Sequence, residues 1–475
     1  MKNLVKFLFT AFAIVLGTGI AATFTYTVRT AIKNLDFYLG STPPSIAPIV
    51  SAEEKISPPE EISPPLSRPT IRPFFEAKNT LLQSGEPFIE VNLEEKIITY
   101  YSGALDQILD PDITVPIKKA GDPQGWGGTP AGVYKVLSKS RAAFSASAET
   151  YMPYALQIYG KYFIHGEPYY PSGEKTDLGD FSGGCVQSWD EKIEPIYKQT
   201  KTGTPILIVD KNYDDFIYPS KKGIDGNGIE VPNVTADSYL VADLDSGEIL
   251  TEKNRGVVYP IASITKLMNV IVMAEHTDLR KKAHASKSAF NFPFANPSLL
   301  VSGNYYKTVD LMYPTLIESS NTGAEITASF LGRARTITLM NEKTQDLFMN
   351  STHYTDPTGL DPGNVSTAHD LYLLARYILN NRRPMLDITV GKKVTAFGPI
   401  EFNINALKNK NEFADHPDFL GGKTGYTVPS QYTGLFLWTI VIGDTPRNIA
   451  IVVLKSEDLK SDAESLLLWV KENYN

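Results

Sequence analysis

The sequence predicts a multidomain chain: an N-terminal membrane helix, a mainly-β domain, then an α+β domain. Three observations lead there. An uncharged, mostly apolar run spans Phe7 to Val28. Short alternating apolar segments fill the stretch from about Phe88 to Asp210. Beyond Tyr239 a hairpin pattern gives way to helical periodicity and then to strands again. At 475 residues, the chain is too long for one ordinary core. Its 42% hydrophobic and 21% charged residues are those of a globular protein. The net charge of -8 argues against nucleic acid as a partner, because phosphate-backbone binding needs a basic face.

The elements follow in order. Residues 1–33 are expected to be a cytoplasmic tip and membrane signal-anchor, with Lys2 and Lys6 before the apolar run and Arg29 and Lys33 after it. Twenty-two residues at a rise of about 1.5 Å cross a hydrocarbon core of about 30 Å. A cleaved signal peptide and a buried core helix fit the same pattern; the length of the run favours an anchor. Flanking charge is nearly balanced and does not set the orientation.

Residues 34–87 are expected to be a proline-rich linker. Prolines recur from Pro43 to Pro73, and Ile-Ser-Pro-Pro appears at both Ile56 and Ile62. Proline fixes φ and removes a donor, which favours extended polyproline II. In residues 88–210, Phe88–Leu93 and Lys96–Tyr101 read as a hairpin. Val133–Leu137, Tyr154–Ile164 and Pro205–Val209 read as strands, and Asp190–Gln199 as the one convincing helix. Residues 211–238, with Gly223-Ile-Asp-Gly-Asn-Gly228, read as a second linker. In residues 239–475, Tyr239–Asp243 and Glu248–Leu250 form a hairpin. Helices are expected over Ser263–Glu275, Leu311–Leu331 and Asp370–Leu379, strands over Leu435–Ile442 and Asn448–Leu454, and an amphipathic helix over Ser461–Glu472.

Two motif sets carry chemistry. In the last domain Ser263-Ile-Thr-Lys266 opens a helix, where positions three apart share a face. A serine hydroxyl is unreactive alone, and a lysine neutralised by burial and like charge can take its proton. Ser319-Ser-Asn321 and Lys423-Thr-Gly425 follow in order. Each triplet is cheap: Ser172-Gly-Glu-Lys175, Ser302-Gly-Asn304 and Lys201-Thr-Gly203 match the same patterns. The ordered set is not cheap.

This half resembles the penicillin-binding serine peptidases, in particular the low-molecular-weight D-alanyl-D-alanine carboxypeptidases, over about Tyr239–Asn475. Thr352–Leu360 and Ser366–Asp370 look like the same family. The resemblance implies a serine penicillin-binding/β-lactamase-like fold, with Ser263 as acylating nucleophile and Lys266 as its base. Ser319 and Asn321 would relay protons and hold substrate backbone. Lys423 and Thr424, followed by Gly425, would hold a terminal carboxylate, and the N–H groups of Ser263 and Tyr426 would form the oxyanion hole.

The mainly-β domain carries the other set. The single cysteine of the chain, Cys185, sits with His165 in the stretch Phe163–Trp189. A lone thiol kept in an exported chain points to chemistry, and a cysteine enzyme needs a base nearby. His165-Gly166, a loop, and Ser182-Gly-Gly-Cys185-Val resemble the L,D-transpeptidase catalytic domain, over about Phe88–Val209. Thr129-Pro-Ala-Gly132 and Tyr151–Leu156 look like the same family. The resemblance implies Cys185 as nucleophile, His165 as base and the Gly166 carbonyl as the group orienting the imidazole. Glycines before the thiol, Gly184 among them, would present N–H groups to an oxyanion. Two positions depart from the pattern: many members have His or Lys where Gly183 stands, and Arg or Asn where Gln187 stands as a candidate for substrate carboxylate.

No cofactor is implied. The six histidines show no metal-binding spacing, and without cysteine pairs no zinc site is expected. Both resemblances imply bacterial peptidoglycan stem peptides as partners and β-lactams as covalent inhibitors. They set the expected topology: single-pass in the cell membrane, amino terminus cytoplasmic, both catalytic domains outside. The expected activity is bifunctional, a D,D-carboxypeptidase trimming pentapeptide stems and an L,D-transpeptidase cross-linking tetrapeptides. A D,D-transpeptidase or endopeptidase at Ser263, or a wall-binding scaffold, are the alternatives.

Overall fold

The computed structural model describes residues 69–103, 113–176, 179–219, 232–394, 396–401 and 403–474. The apolar amino-terminal run, most of the proline-rich stretch and the middle of the second linker lie outside the described residues. Among the described residues no helix is long and apolar enough to cross a membrane.

The first described element is a correction. Inside the segment read as an extended linker, Pro73–Ser84 forms a helix, α1. Proline suits the first helical turn, where its missing N–H has no partner to lose. Phe74, Ala77 and Leu81 follow at helical spacing and pack on the main core. Gly85, in the left-handed conformation at φ 67°, ends the helix. Ile71 N–H donates to the Gly247 carbonyl at 2.8 Å, and the Phe74 ring meets Phe348 edge-on at 5.4 Å. This helix therefore docks on the C-terminal half.

The β domain is built from two sheets. The first has β1 (Phe88–Asn92), β2 (Ile97–Tyr101), β3 (Ile113–Pro116), β4 (Gly132–Lys135) and later β9 (Pro205–Val209), in the order β3-β2-β1-β9-β4. The second has β5 (Ser138–Ser145), β6 (Thr150–Tyr159), β7 (Tyr162–His165) and β8 (Val186–Gln187), in chain order. The expected hairpin is β1–β2, with Phe88 opposite Tyr101. Helix α2 (Asp190–Gln199) is where the sequence places it. Buried Ile, Val and Leu from both sheets and α2 form one core.

The C-terminal half has a five-stranded sheet of β10 (Ser238–Asp243), β11 (Ile249–Lys253), β12 (Phe419–Thr427), β13 (Gln431–Ile442) and β14 (Thr445–Ser456), ordered β11-β10-β14-β13-β12. One face packs on a helical layer: α3 (Thr265–His276), α4 (Thr308–Leu316), α5 (Asn321–Leu331), α6 (Arg333–Asp346), α7 (Ala368–Asn381) and α8 (Pro384–Thr389). The other face packs on α9 (Leu459–Tyr474) through Trp438, Leu466 and Val470. Lys423-Thr-Gly425 lies on edge strand β12. The continuous helix expected over Leu311–Leu331 is two helices. Ser320 begins α5 by accepting the Gly323 N–H at 3.0 Å, and Ser319 turns the chain at φ 59°.

The described part of the second linker is also packed rather than free. Tyr218 is buried and donates to Asp243 at 2.7 Å, and the Arg376 guanidinium lies over the Tyr213 ring at 4.1 Å. From residue 67 onward the chain is one compact unit, and its main apolar cluster takes Trp126, Ala131, Leu207 and Val209 from the β domain.

Candidate active sites

Ser263 lies in a one-turn 3-10 segment, Ala262–Ile264, that feeds directly into α3. Lys266, fully buried, sits one helical turn further on, and its Nζ donates to Ser263 Oγ at 2.7 Å and to the Thr358 carbonyl at 2.6 Å. Burial, then the nearby Lys423 ammonium, holds Lys266 well below the ordinary lysine range, against an opposing pull from Asp356. A lysine in that state can be neutral and accept the serine proton.

Two residues that sequence reasoning left unassigned, Asp356 and Asn269, build this geometry. The Asp356 carboxylate collects the Thr358 hydroxyl at 2.6 Å, the Gly359 N–H at 2.8 Å and the Asn364 amide at 2.9 Å. This fixes the turn that aims the Thr358 carbonyl at Lys266. Asn269, one turn along α3 from Lys266, donates to the carbonyls of Ala324 and Pro357 at 3.0 and 3.1 Å. The signal was present in the Thr-Asp-Pro-Thr-Gly run, but nothing in spacing tells which side chain it serves.

β12 passes close to the nucleophile. A Cβ on Gly425 would stand 2.8 Å from the Ser263 nitrogen and 2.7 Å from Thr433 Oγ1, so only glycine allows the approach. Lys423 is buried, and burial lowers it to about 7; its Nζ donates to the Thr424 carbonyl at 2.7 Å. Tyr426 is exposed and its ring lies 4.6 Å from that of Tyr432. Asn321 Nδ2 donates to the Phe294 carbonyl at 2.8 Å, and its N–H donates to Asn296 Oδ1. Ser263, Asn296, Ser319, Thr424, Tyr426 and Tyr432 line one open cleft of about 600 Å³. The structure thus brings all three triplets together, and places the three decoy triplets elsewhere.

At the cysteine site, His165 ends β7 and Cys185 immediately precedes β8. The two strands pair in parallel, with His165 opposite Gln187. His165 Nδ1 lies 2.6 Å from the Gly166 carbonyl. Burial lowers the imidazole to about 4, against that hydrogen bond, so it is neutral at physiological pH and able to accept a proton. Burial also pushes the half-buried Cys185 thiol up to about 11. In this conformation Sγ lies 3.9 Å from the Lys161 carbonyl.

The turn before the thiol is held by Ser182, whose Oγ donates to the Cys185 carbonyl at 2.5 Å and accepts the Gly184 N–H at 3.1 Å. In this conformation the Gly184 N–H thus has its partner inside its own turn. Gly184 has a steric reason to be glycine. Its φ is 109°, and a Cβ would stand 2.2 Å from the Tyr162 ring. Gly184→Ala is therefore expected to displace Cys185, since strain of this kind costs about 1–3 kcal/mol. The check is thiol alkylation slowed about tenfold or more, with penicillin labelling of Ser263 retained. At Gly183 an added Cβ would meet nothing within 4 Å. Gln187 is buried, and its backbone exchanges hydrogen bonds with Lys118 and Lys119.

Residues 86–208 match the L,D-transpeptidase catalytic domain family, and residues 225–456 match the D-alanyl-D-alanine carboxypeptidase family. Over 214 residues the chain is 32% identical to a D-alanyl-D-alanine carboxypeptidase of Mycobacterium tuberculosis, a match covering 43% of this chain and 71% of that protein. The chain belongs to the D-alanyl-D-alanine carboxypeptidase family. An L,D-transpeptidase catalytic domain precedes that part of it. The carboxypeptidase half is also similar to the D-alanyl-D-alanine carboxypeptidase DacD of Escherichia coli, 27% identical over 54% of this chain and 70% of that one. It is 29% identical to a D-alanyl-D-alanine endopeptidase of Pseudomonas aeruginosa, over 46% and 71% respectively.

The carboxypeptidase and L,D-transpeptidase domains meet across a buried polar interface. Arg382, at the end of α7, pairs with Glu275 of α3 at 2.7 Å and donates to the Gly128 carbonyl at 2.9 Å and to Tyr162 OH at 3.3 Å. Lys343 of α6 pairs with Glu275 at 3.0 Å and donates to Tyr134 OH at 2.9 Å. Burial would raise Glu275, but the two cations outweigh it and hold it at about 2. Asn381 receives the Ala131 N–H at 3.0 Å and donates to Asp210 at 2.8 Å.

Proposed function

We propose that this chain is a bifunctional peptidoglycan-remodelling enzyme, with Ser263 trimming pentapeptide stems and Cys185 cross-linking the resulting tetrapeptides. The observation that carries it is the Lys266–Ser263 contact of 2.7 Å in a buried site, in one compact unit with a second, chemically distinct nucleophile. In the first reaction Ser263 Oγ gives its proton to Lys266 and attacks the D-Ala–D-Ala carbonyl. The terminal D-Ala leaves as the amine, taking that proton, and water hydrolyses the ester to a tetrapeptide carboxylate. In the second, the Cys185 thiol gives its proton to His165 and forms a thioester at the carbonyl before the remaining D-Ala, which leaves protonated. An amine of another stem then attacks the thioester, forms the amide and frees the thiolate. Tethering the two sites raises the local rate of the hand-off. Peptidoglycan lies outside the membrane, so both domains act there, held by the amino-terminal apolar run as anchor. β-Lactams, which mimic the D-Ala–D-Ala bond, would acylate Ser263.

Mass spectrometry of muropeptides tests this. Given pentapeptides only, wild type is expected to release D-Ala and then form dimers. Cys185→Ala should stop at tetrapeptides, whereas Ser263→Ala should cross-link tetrapeptides but not pentapeptides. If Ser263→Ala cross-links pentapeptides as fast as wild type, the coupling is wrong. The endopeptidase among the relatives favours one further reading of Ser263: cleavage of cross-linked dimers in place of D-Ala release, separable in the same assay.

A further inference from the structure

The two nucleophile sites are tied to opposite ends of one helix. Ser263 stands at the start of α3, and the last turn of α3, 12 residues long and so about 18 Å away, meets the L,D-transpeptidase domain. The contact there is Lys161, in the two-residue turn between β6 and β7. Its Nζ donates to the Thr277 carbonyl at 2.9 Å and the Ala274 carbonyl at 3.4 Å. Carbonyls of a final helical turn have no partner within the helix and carry its negative end, so an ammonium is the complementary group.

The backbone of the same turn faces the cysteine. The Lys161 carbonyl is the group 3.9 Å from Cys185 Sγ, and the next residue supplies the ring under Gly184. Gly160 backs onto α3 so closely that a Cβ would stand 3.3 Å from the Glu275 carbonyl oxygen. The turn is thus fixed to α3 on one side and to the Cys185 loop on the other.

The geometry points to Lys161 as a positioning residue for Cys185: anchored on the last turn of the carboxypeptidase domain's α3, its side chain fixes the turn whose backbone carbonyl faces the thiol. This rests on the reading of Cys185 as the cross-linking nucleophile. The surrounding charges are largely matched to other partners: Glu275 to Lys343 and Arg382, and Asp278 to Arg280 at 2.8 Å. The His276 ring packs on Tyr159, Tyr162 OH receives Arg382, and His165 faces Gly166. Burial and then Arg382 lower the Lys161 ammonium, against pulls from Asp278, Glu275 and Cys185. Burial raises the thiol, against a hydrogen bond from the Phe163 backbone and then the Lys161 ammonium, both of which lower it.

The experiment uses the full chain, whose one cysteine makes alkylation specific. Iodoacetamide labelling of Cys185 is followed against pH for Lys161→Met, Lys161→Gln and Lys161→Arg, with penicillin labelling of Ser263 as the measure of folding. The thiolate is the reactive form. The two neutral variants are expected to react about tenfold more slowly than wild type at pH 7, with the profile moved to higher pH, and the arginine variant within about threefold of it. Either neutral variant keeping the wild-type profile while still taking penicillin overturns the proposal. So does an arginine variant as slow as the neutral ones, which would reduce Lys161 to packing. If Lys161→Met fails to take penicillin, Lys161→Gln decides by the same criteria. Alkylation does not require cross-linking, so a wild-type enzyme that alkylates as described but forms no dimers overturns the transpeptidase reading alone.

Discussion

Lys266→Met is expected to slow acylation of Ser263 by a fluorescent penicillin about 10³-fold, the scale of a lost general base, while leaving Cys185 alkylation intact. Methionine fills the same volume and cannot take the proton. Persistence of more than about a tenth of wild-type acylation would exclude Lys266 as the base. The same site has a pH signature. D-Ala release, as kcat/KM, should rise as Lys266 loses its proton, at a pH well below the ordinary lysine range. It should fall again above about 7, where Lys423 loses the charge assigned to substrate carboxylate. Lys423→Arg keeps that charge, because a guanidinium stays protonated. Its alkaline limb should move to higher pH even where overall activity drops.

Glu275→Ala is expected to destabilise the folded unit by about 3–5 kcal/mol, because removing one partner leaves buried charge uncompensated. Here two cations, Lys343 and Arg382, would be stranded between domains. Denaturant unfolding reads the loss, and a midpoint equal to wild type would show that the cluster does not hold the halves. The acid dependence has a defined sign. The folded-state value of about 2 lies below the ordinary 4.5, so this carboxylate contributes its full stability above about 4.5. The contribution fades as pH falls from there towards 2. Glu275→Gln should lack that part of the acid-induced loss.

Much of this molecule was legible because periodicity and local chemistry agree. Helix α2 and the strands β13 and β14 carry apolar patterns that follow their burial, and the β1–β2 hairpin is where its alternation places it although Glu90, Asn92 and Thr99 are buried as well. The ordered triplets located the serine site because the Ser-x-x-Lys spacing is itself a helical distance. What stayed hidden depends on contacts remote in sequence. Helix α1 was masked by prolines that, at Pro73, start a helix instead of preventing one. The break at Ser319 was missed although polar residues and a glycine run from Glu318 to Gly323, because apolar residues resume on its far side at Ala324 and Ile326. The Ser182 contact that ties the Gly184 amide into its turn was not visible in the sequence. Asp356 acts on Lys266 from a turn that spacing cannot place beside it, and the partners of Asn269, the Ala324 and Pro357 carbonyls, are equally remote in sequence. The interface was the largest omission, since Glu275, Lys343 and Arg382 come together only in the folded chain and the sequence reading assigned none of them a role.

That interface bears on how the protein can be dissected. A chain cut near Asp210 would separate Ala131 from Asn381, Gly128 from Arg382 and Tyr134 from Lys343. Each fragment would then expose a face that evolved covered, and the carboxypeptidase fragment would carry three ionised groups with only part of their coordination. Activities measured on such fragments would describe altered proteins. Inhibitor screens and crystallisation trials are therefore better run on a chain that begins before α1 and carries an inactivating change at one nucleophile, so that each site is read in its native frame.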